Sequence, residues 1–209
     1  VVIKEIHHRI KNNLQTVASL LRMQARRVDS EQTKKALNDS ISRILSIAVV
    51  HEVLSKEGMD LVDVRSVLTH LIDMIIHNMV DHDRHITINL SCDSFNLYSR
   101  QATSLIMIVN ELIHNALEHA FVNKSTGIIN VEIKQKDNQI ELVVADNGIG
   151  FSEKEINQSK SLGLNIIRTL VEEDLKGTIN IIRHKGTKVK IRFPHFIVEE
   201  VGHADIGGG

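Results

Sequence analysis

The side chains best suited to chemistry in this 209-residue sequence fall into two groups far apart in the chain. The first is Glu5-Ile6-His7-His8-Arg9-Ile10-Lys11-Asn12. A neutral imidazole offers a ring nitrogen as nucleophile, and an ordinary pKa of ~6.5 leaves much of it neutral near pH 7. A carboxylate such as Glu5 could hold the other ring N–H and increase its basicity. Asn12 could position a water for a reverse, hydrolytic step. Arg9 and Lys11 could meet an anion, although solvated helix charges are an equally good reading of both.

The second group is Asn110-Glu111 with Asn115, then Asp146-Asn147-Gly148-Ile149-Gly150, then Lys160-Ser161-Leu162-Gly163-Leu164, and finally Gly186-Thr187. Glu111 and Asn115 stand four apart, on one face of a helix, and can converge on one ion. Magnesium takes oxygen ligands and keeps several waters, so one amide oxygen suffices beside phosphate oxygens. A carboxylate at Asp146 can accept from an amino group on a base, while Gly148 and Gly150 let the backbone come close. A helix opening at 162 can present N–H groups to phosphates, with 152–161 as a short lid. Thr187 can bond the aspartate or the base. Taken singly, each piece also reads as a polar helix face, a turn or a surface loop. His77, His82 and His85 lie near one another, but no acid or cysteine completes a zinc-like set.

The elements that must carry these groups follow from hydrophobic period. Ile3, Ile6, Ile10, Leu14, Val17 and Leu21 share an arc of roughly 80° on a helix over residues 1 to 28. From the centre of that arc, near Val17 and Ile10, His7 lies roughly 60° away and His8 roughly 160° away. His7 is therefore expected to pack and His8 to face solvent, with Glu5 and Asn12 on the His8 side. Asp29 with Gln32 has the spacing of a helix cap, and a second helix follows over 31–57, with Gly58 as its stop. Its stripe is Leu37, Ile41, Ile44, Leu45 and Ala48. A two-helix hairpin cannot cover its own stripe; pairing with a second copy would make a four-helix bundle. The alternative is that the stripe packs on the rest of the same chain.

Beyond residue 59 the pattern predicts helices at 61–80, 100–121 and 162–175. Strands are predicted at 86–90, 128–134, 140–144, 179–183 and 188–193. The fold class expected is α+β: the hairpin at 1–58, an α/β sandwich at 59–196, and a tail at 197–209. Hydrophobic residues make up 42% and charged residues 24%, enough for a buried core. Lys and Arg number 25 against 26 Asp and Glu, a balance that speaks against direct nucleic-acid binding. The single cysteine, Cys92, excludes an intrachain disulfide and fits a reducing, cytoplasmic setting. No apolar run reaches the ~18 residues of a membrane helix. The chain opens inside a helical pattern with no initiator methionine, and a preceding input domain is expected.

Glu5 to Gln15 resembles the phosphoacceptor helix of the second histidine-kinase dimerisation family, relatives of the HWE kinases, and Arg43 to Leu54 resembles that family's second helix. Asn-box, Asp-x-Gly-x-Gly, Gly-Leu and Gly-Thr, in that order, resemble the Bergerat ATP-binding fold shared with gyrase, Hsp90 and MutL. The resemblance implies a dimeric kinase core that phosphorylates His8 from ATP and passes the group to an aspartate of a response-regulator receiver domain. Regulators with RNA-binding antiterminator output are frequent partners of such relatives. By the same resemblance Asn115 is a Mg²⁺ ligand, Asp146 reads adenine, and Gly148, Gly150, Gly163, Leu164, His119 and Thr187 belong to the pocket. Better-known histidine kinases follow the phosphorylated histidine with an acid; here Arg9 follows, which leaves Glu5 as the candidate base. They also carry a lysine where this chain has Glu118, which makes Lys160 the candidate phosphate contact. Two rival readings stand beside this one. The chain could be a non-catalytic or mainly phosphatase scaffold, or an ATP-driven clamp of the Hsp90/MutL type in which Glu111 activates water.

Overall fold

The computed structural model of the chain describes residues 2–57, 61–79, 85–122, 124–150, 162–183 and 185–195. Gly58, His82, the lid at 152–161 with its Lys160, and the tail at 197–209 lie outside them. Helix α1 (Val2–Ala25) and helix α2 (Glu31–Glu57) form the expected hairpin. The cap of α2 is Ser30 rather than Asp29. The Ser30 hydroxyl accepts the Thr33 N–H at 3.3 Å, which satisfies one of the donors left open at a helix start.

The apolar arc of α1 splits in the folded hairpin. His7, Ile10, Leu14, Ala18, Leu21 and Ala25 turn toward α2, with Ala18 and Ala25 fully buried. Ile6 and Val17, expected in the packed stripe, stay 49% and 44% exposed, and with Val2 and Leu20 they form a second apolar row along the helix. The two rows lie about 100° apart at the helical period. The centre read from sequence falls between them.

Helix α2 is covered on both sides. One side meets α1. The other meets helix α3 (Val64–Met79) and helix α4 (Ser99–Asn115), burying Val50, Val53 and Leu54. The predicted helix at 61–80 begins three residues late, because strand β1 (Leu61–Asp63) pairs antiparallel with strand β3 (Asn96–Tyr98). Asp63 then caps α3, its carboxylate accepting the Ser66 N–H at 2.9 Å. Three-residue strands are too short to show a period, which is why this ribbon escaped the sequence.

The main sheet has five strands in the order β2-β4-β5-β7-β6. They are β2 (His85–Cys92), β4 (Thr126–Lys136), β5 (Gln139–Asp146), β6 (Thr178–Arg183) and β7 (Thr187–Pro194). Only the β2–β4 pair is parallel. Alternation along β7 buries Thr187, Val189, Ile191 and Phe193 and leaves Lys188 and Arg192 outward. The inward residues of β4, β5 and β7 meet α4 and helix α5 (Leu162–Thr169), giving the expected α/β sandwich with helices on one face. Both α4 and α5 end in a widened π turn, over Ala116–Ala120 and Leu170–Asp174.

Phe193 is fully buried in this core. Phe193→Ala is expected to lose about 3–5 kcal/mol in urea denaturation, while Lys188→Ala on the exposed face should stay within about 0.5 kcal/mol.

Candidate functional site

Position on α1 decides what its two histidines can do. His7 faces α2, where its Nδ1 lies 3.0 Å from Nδ1 of His51, so one ring donates and the other accepts. Burial, with His7 beside it, pushes the His51 ring below the ordinary imidazole range. Lys11, one turn further on, reaches Glu52 at 3.4 Å and ties the same end of the hairpin. His8 points to solvent, and the Asn12 amide approaches its Nδ1 at 3.3 Å. Glu5 does not reach the ring. Its carboxylate accepts the Arg9 Nε–H at 2.8 Å, and that bond holds it below the usual carboxylate range.

The second group assembles around the C-terminal end of α4. Leu112, Asn115 and Ala116 on that helix, Val144 and Asp146 on β5, Leu164 on α5, Ile181 on β6 and Thr187 on β7 line one pocket. Asp146 Oδ1 accepts the Gly148 N–H at 2.8 Å, which turns the chain sharply as it leaves β5. The following loop is pressed onto the end of the α4 extension, where Ile149 donates to the Ala120 carbonyl at 2.9 Å. A Cβ on Gly148 would meet that carbonyl at 2.2 Å. Gly186, with φ +129°, lets the β6–β7 turn pass so near that a Cβ would lie 1.9 Å from the Asp146 carbonyl oxygen. Gly163 lies against the helix, and a Cβ there would come within 2.8 Å of a Glu111 oxygen and 3.7 Å of Asn115 Oδ1.

The donor set fits a nucleotide. The Thr187 hydroxyl, buried in this pocket beside Asp146, has no partner among the described residues. A buried orphan hydroxyl is costly unless something bonds it when the site is filled. Asn115 supplies the amide oxygen that a magnesium ion accepts, and the N-terminus of α5 stands over the same wall. His119 is not among these lining residues. It lies 49% exposed on the cleft between hairpin and sandwich, 3.5 Å from Glu118.

What the sequence did not disclose is the polar seam that docks the sandwich onto α2. Arg43 donates to both oxygens of Glu111, at 2.7 and 2.9 Å, with side chains only 15% and 5% exposed. These bonds hold Arg43 still more firmly protonated than usual. Ser42 donates to Asn110 Oδ1 at 3.2 Å, Asp39 lies 3.4 Å from His114, and Lys35 reaches Glu118 at 2.9 Å. As α4 advances, its partners on α2 run backwards, so the two helices are antiparallel. The Asn115 end therefore points toward the hairpin turn, while His8 sits at the His51 end. Asp39, level with His114, and His51 are about 18 Å apart along α2 at ~1.5 Å per residue. Glu111, which the rival clamp reading would have activate water, is engaged by Arg43. That arginine opens the stretch resembling a kinase second helix, but its partner lies 68 residues away and no local pattern points to it.

Comparison with known proteins accounts for both halves. The family described as histidine kinase matches residues 5–79, and the one described as histidine kinase-, DNA gyrase B- and HSP90-like ATPase matches residues 100–197. The chain belongs to the histidine kinases. It is 41% identical over 196 residues to the sensor histidine kinase PdtaS of Mycobacterium tuberculosis, an alignment covering 92% of this chain and 39% of that relative. It is 26% identical over 199 residues to blue-light-activated histidine kinase 2 of Erythrobacter litoralis, covering 91% and 56%. The kinase chain thus spans well under two thirds of the curated relatives it matches. In fold it is similar to the histidine kinase domain of the Erythrobacter litoralis EL346 blue-light activated kinase, with a TM-score of 0.71 over 92% of this chain and 90% of that one.

Two outcomes follow from the geometry of this kinase site. Gly186→Ala should cut affinity for a fluorescent ATP analogue at least tenfold in direct titration, since the side chain would displace the Asp146 strand end. Arg43→Ala should release the sandwich from the hairpin, read as a larger radius of gyration in small-angle X-ray scattering with unchanged helix content by circular dichroism.

Proposed function

We propose that the chain is the core of a sensor histidine kinase that accepts the γ-phosphoryl group of ATP on His8 and passes it to an aspartate of a response-regulator receiver domain. The observation that carries this reading is the pairing of an exposed, amide-contacted His8 with a pocket whose buried Thr187 hydroxyl waits for a partner beside Asp146. ATP with Mg²⁺ would supply the transferable phosphoryl group and neutralise its charge. Asp146 accepts from the adenine amino group, Thr187 completes that edge, and Asn115 holds the ion. The N–H groups opening α5 around Gly163 and Leu164 meet the phosphates, with Lys160 as the added cation. Phosphoryl transfer of this kind is mostly positioning and charge neutralisation.

His8 and the pocket stand too far apart for transfer in the docked arrangement. The sandwich must leave the Arg43–Glu111 seam and present the pocket to His8 of its own chain or of a partner copy. The open apolar row of α1, with Val2, Ile6, Val17 and Leu20, suits pairing with a second copy into a four-helix bundle. Asn12 is placed to orient water for the reverse, hydrolytic step. The clamp reading is weakened because Glu111 is engaged by Arg43 rather than open to activate water. No helix among the described residues is long and apolar enough to cross a membrane, and we place the reaction in the cytoplasm. The expected partner is a regulator with RNA-binding antiterminator output.

Incubation with γ-labelled ATP and Mg²⁺ tests the reading. Wild type and His7→Gln should take up acid-labile label, and His8→Gln should take up none. Label surviving in His8→Gln would sink the assignment, and no label in wild type would favour the scaffold reading.

A further inference from the structure

Three side chains able to ligate a metal converge on the seam, at a point that neither His8 nor the nucleotide pocket uses. Asp39 comes from α2, His114 from the last turn of α4, and Glu118 from the widened turn that follows it. One oxygen or ring nitrogen from each lies within 4.8 Å of the other two, the one such group of His, Cys, Asp and Glu among the described residues. All three are partly buried, and they stand on the wall of the cleft of about 950 Å³ near the hairpin turn. An ion therefore has a path in from solvent, and water has room beside it. Asn115, the neighbour of His114, lines the other pocket, so this group is separate from the magnesium position.

Spacing and donor type both favour a metal over a simple ion pair. His114 Nε2 lies 3.4 Å from Asp39 Oδ1, longer than the ~2.7–3.2 Å of an N–H···O bond. Around a tetrahedral zinc, with bonds of about 2.0–2.1 Å, neighbouring ligand atoms sit roughly 3.3–3.4 Å apart. Glu118 Oε2 approaches the same ring at 3.8 Å from Nδ1, four residues further along the chain, and its long side chain can turn to complete the set. Lys35 at 2.9 Å and His119 at 3.5 Å now share the Glu118 carboxylate. Both are about half exposed, free to swing aside, and a doubly charged ion attracts the two carboxylates more strongly than one ammonium does. One imidazole with two carboxylates suits zinc and its first-row neighbours; magnesium and calcium take oxygen alone.

We propose that Asp39, His114 and Glu118 bind a divalent transition-metal ion of the zinc class, with water as the fourth ligand. One ligand belongs to the hairpin and two to the sandwich. The ion therefore ties the two units in their docked arrangement, beside the Arg43–Glu111 pair.

The test titrates the full chain with Co²⁺ in the absence of nucleotide, following visible absorption, which reports the ligands around cobalt. Wild type should bind one cobalt ion per chain, displaced by equimolar Zn²⁺ and not by excess Mg²⁺. Asp39→Asn, His114→Gln and Glu118→Gln should each weaken binding at least about tenfold, with circular dichroism confirming that each variant is folded. Zn²⁺ should raise the midpoint of thermal unfolding of wild type and leave that of His114→Gln in place. Equal cobalt affinity in wild type and all three variants would put the metal on other histidines and overturn the site. Unchanged affinity in Asp39→Asn beside a loss in His114→Gln would place the ion on the sandwich alone and overturn the tie. Displacement by Mg²⁺ would overturn the zinc-class assignment. None of these readouts depends on phosphorylation of His8.

Discussion

Arg43 and Glu111 form the contact on which the rest of the arrangement leans. Each comes from a helix that has its own work: α2 backs the helix that carries His8, and α4 carries Leu112, Asn115 and Ala116 of the pocket wall. Their side chains are nearly out of water, so each charge depends on the other for solvation. Such a pair adds little net stability compared with apolar packing, but it is unforgiving of separation by a small distance. With Ser42, Asp39 and Lys35 following Arg43 down one side of α2, the sandwich is held in a single register against the hairpin.

The register has a functional cost and a functional use. It keeps the pocket end of α4 toward the hairpin turn and His8 toward the other end. In the same position it occupies Glu111, the one buried acid on the face that carries Asn115. A cleft of about 950 Å³ opens beside the seam near the hairpin turn, while further along α2 Val50, Val53 and Leu54 pack into the apolar core shared with α3 and α4. The outward apolar residues of α1, Val2, Ile6, Val17 and Leu20, stay exposed and are distinct from the α2 face that meets the sandwich.

Around His8, three choices of residue type act together. A packed His7 against His51 and the Lys11–Glu52 pair hold the end of the hairpin still, while His8 itself is left in solvent. The only acid within a turn is neutralised by Arg9. What remains beside the ring is the Asn12 amide.

Much of this was legible before folding. The period of α1 separated His7 from His8, and glycine and strand-end spacing announced the pocket, because both depend on local geometry that repeats along the chain. The cap at Ser30 and the ribbon of β1 with β3 were misread or missed, since they hinge on one hydroxyl and on three-residue strands. The faces of α1 could be found from sequence but not apportioned: an apolar arc says that something covers it, not that two different partners share it. His119, placed in the pocket by resemblance, lines the cleft between hairpin and sandwich, a position no local pattern announces. The sequence by itself determined two units, a solvent-facing histidine and the residues that line the pocket around Asp146. Only the tertiary structure decided that Arg43 captures Glu111 from 68 residues away, and with it the distance between the pocket and His8. Such pairings are set by how whole helices dock, and docking depends on surfaces rather than on spacing along the chain.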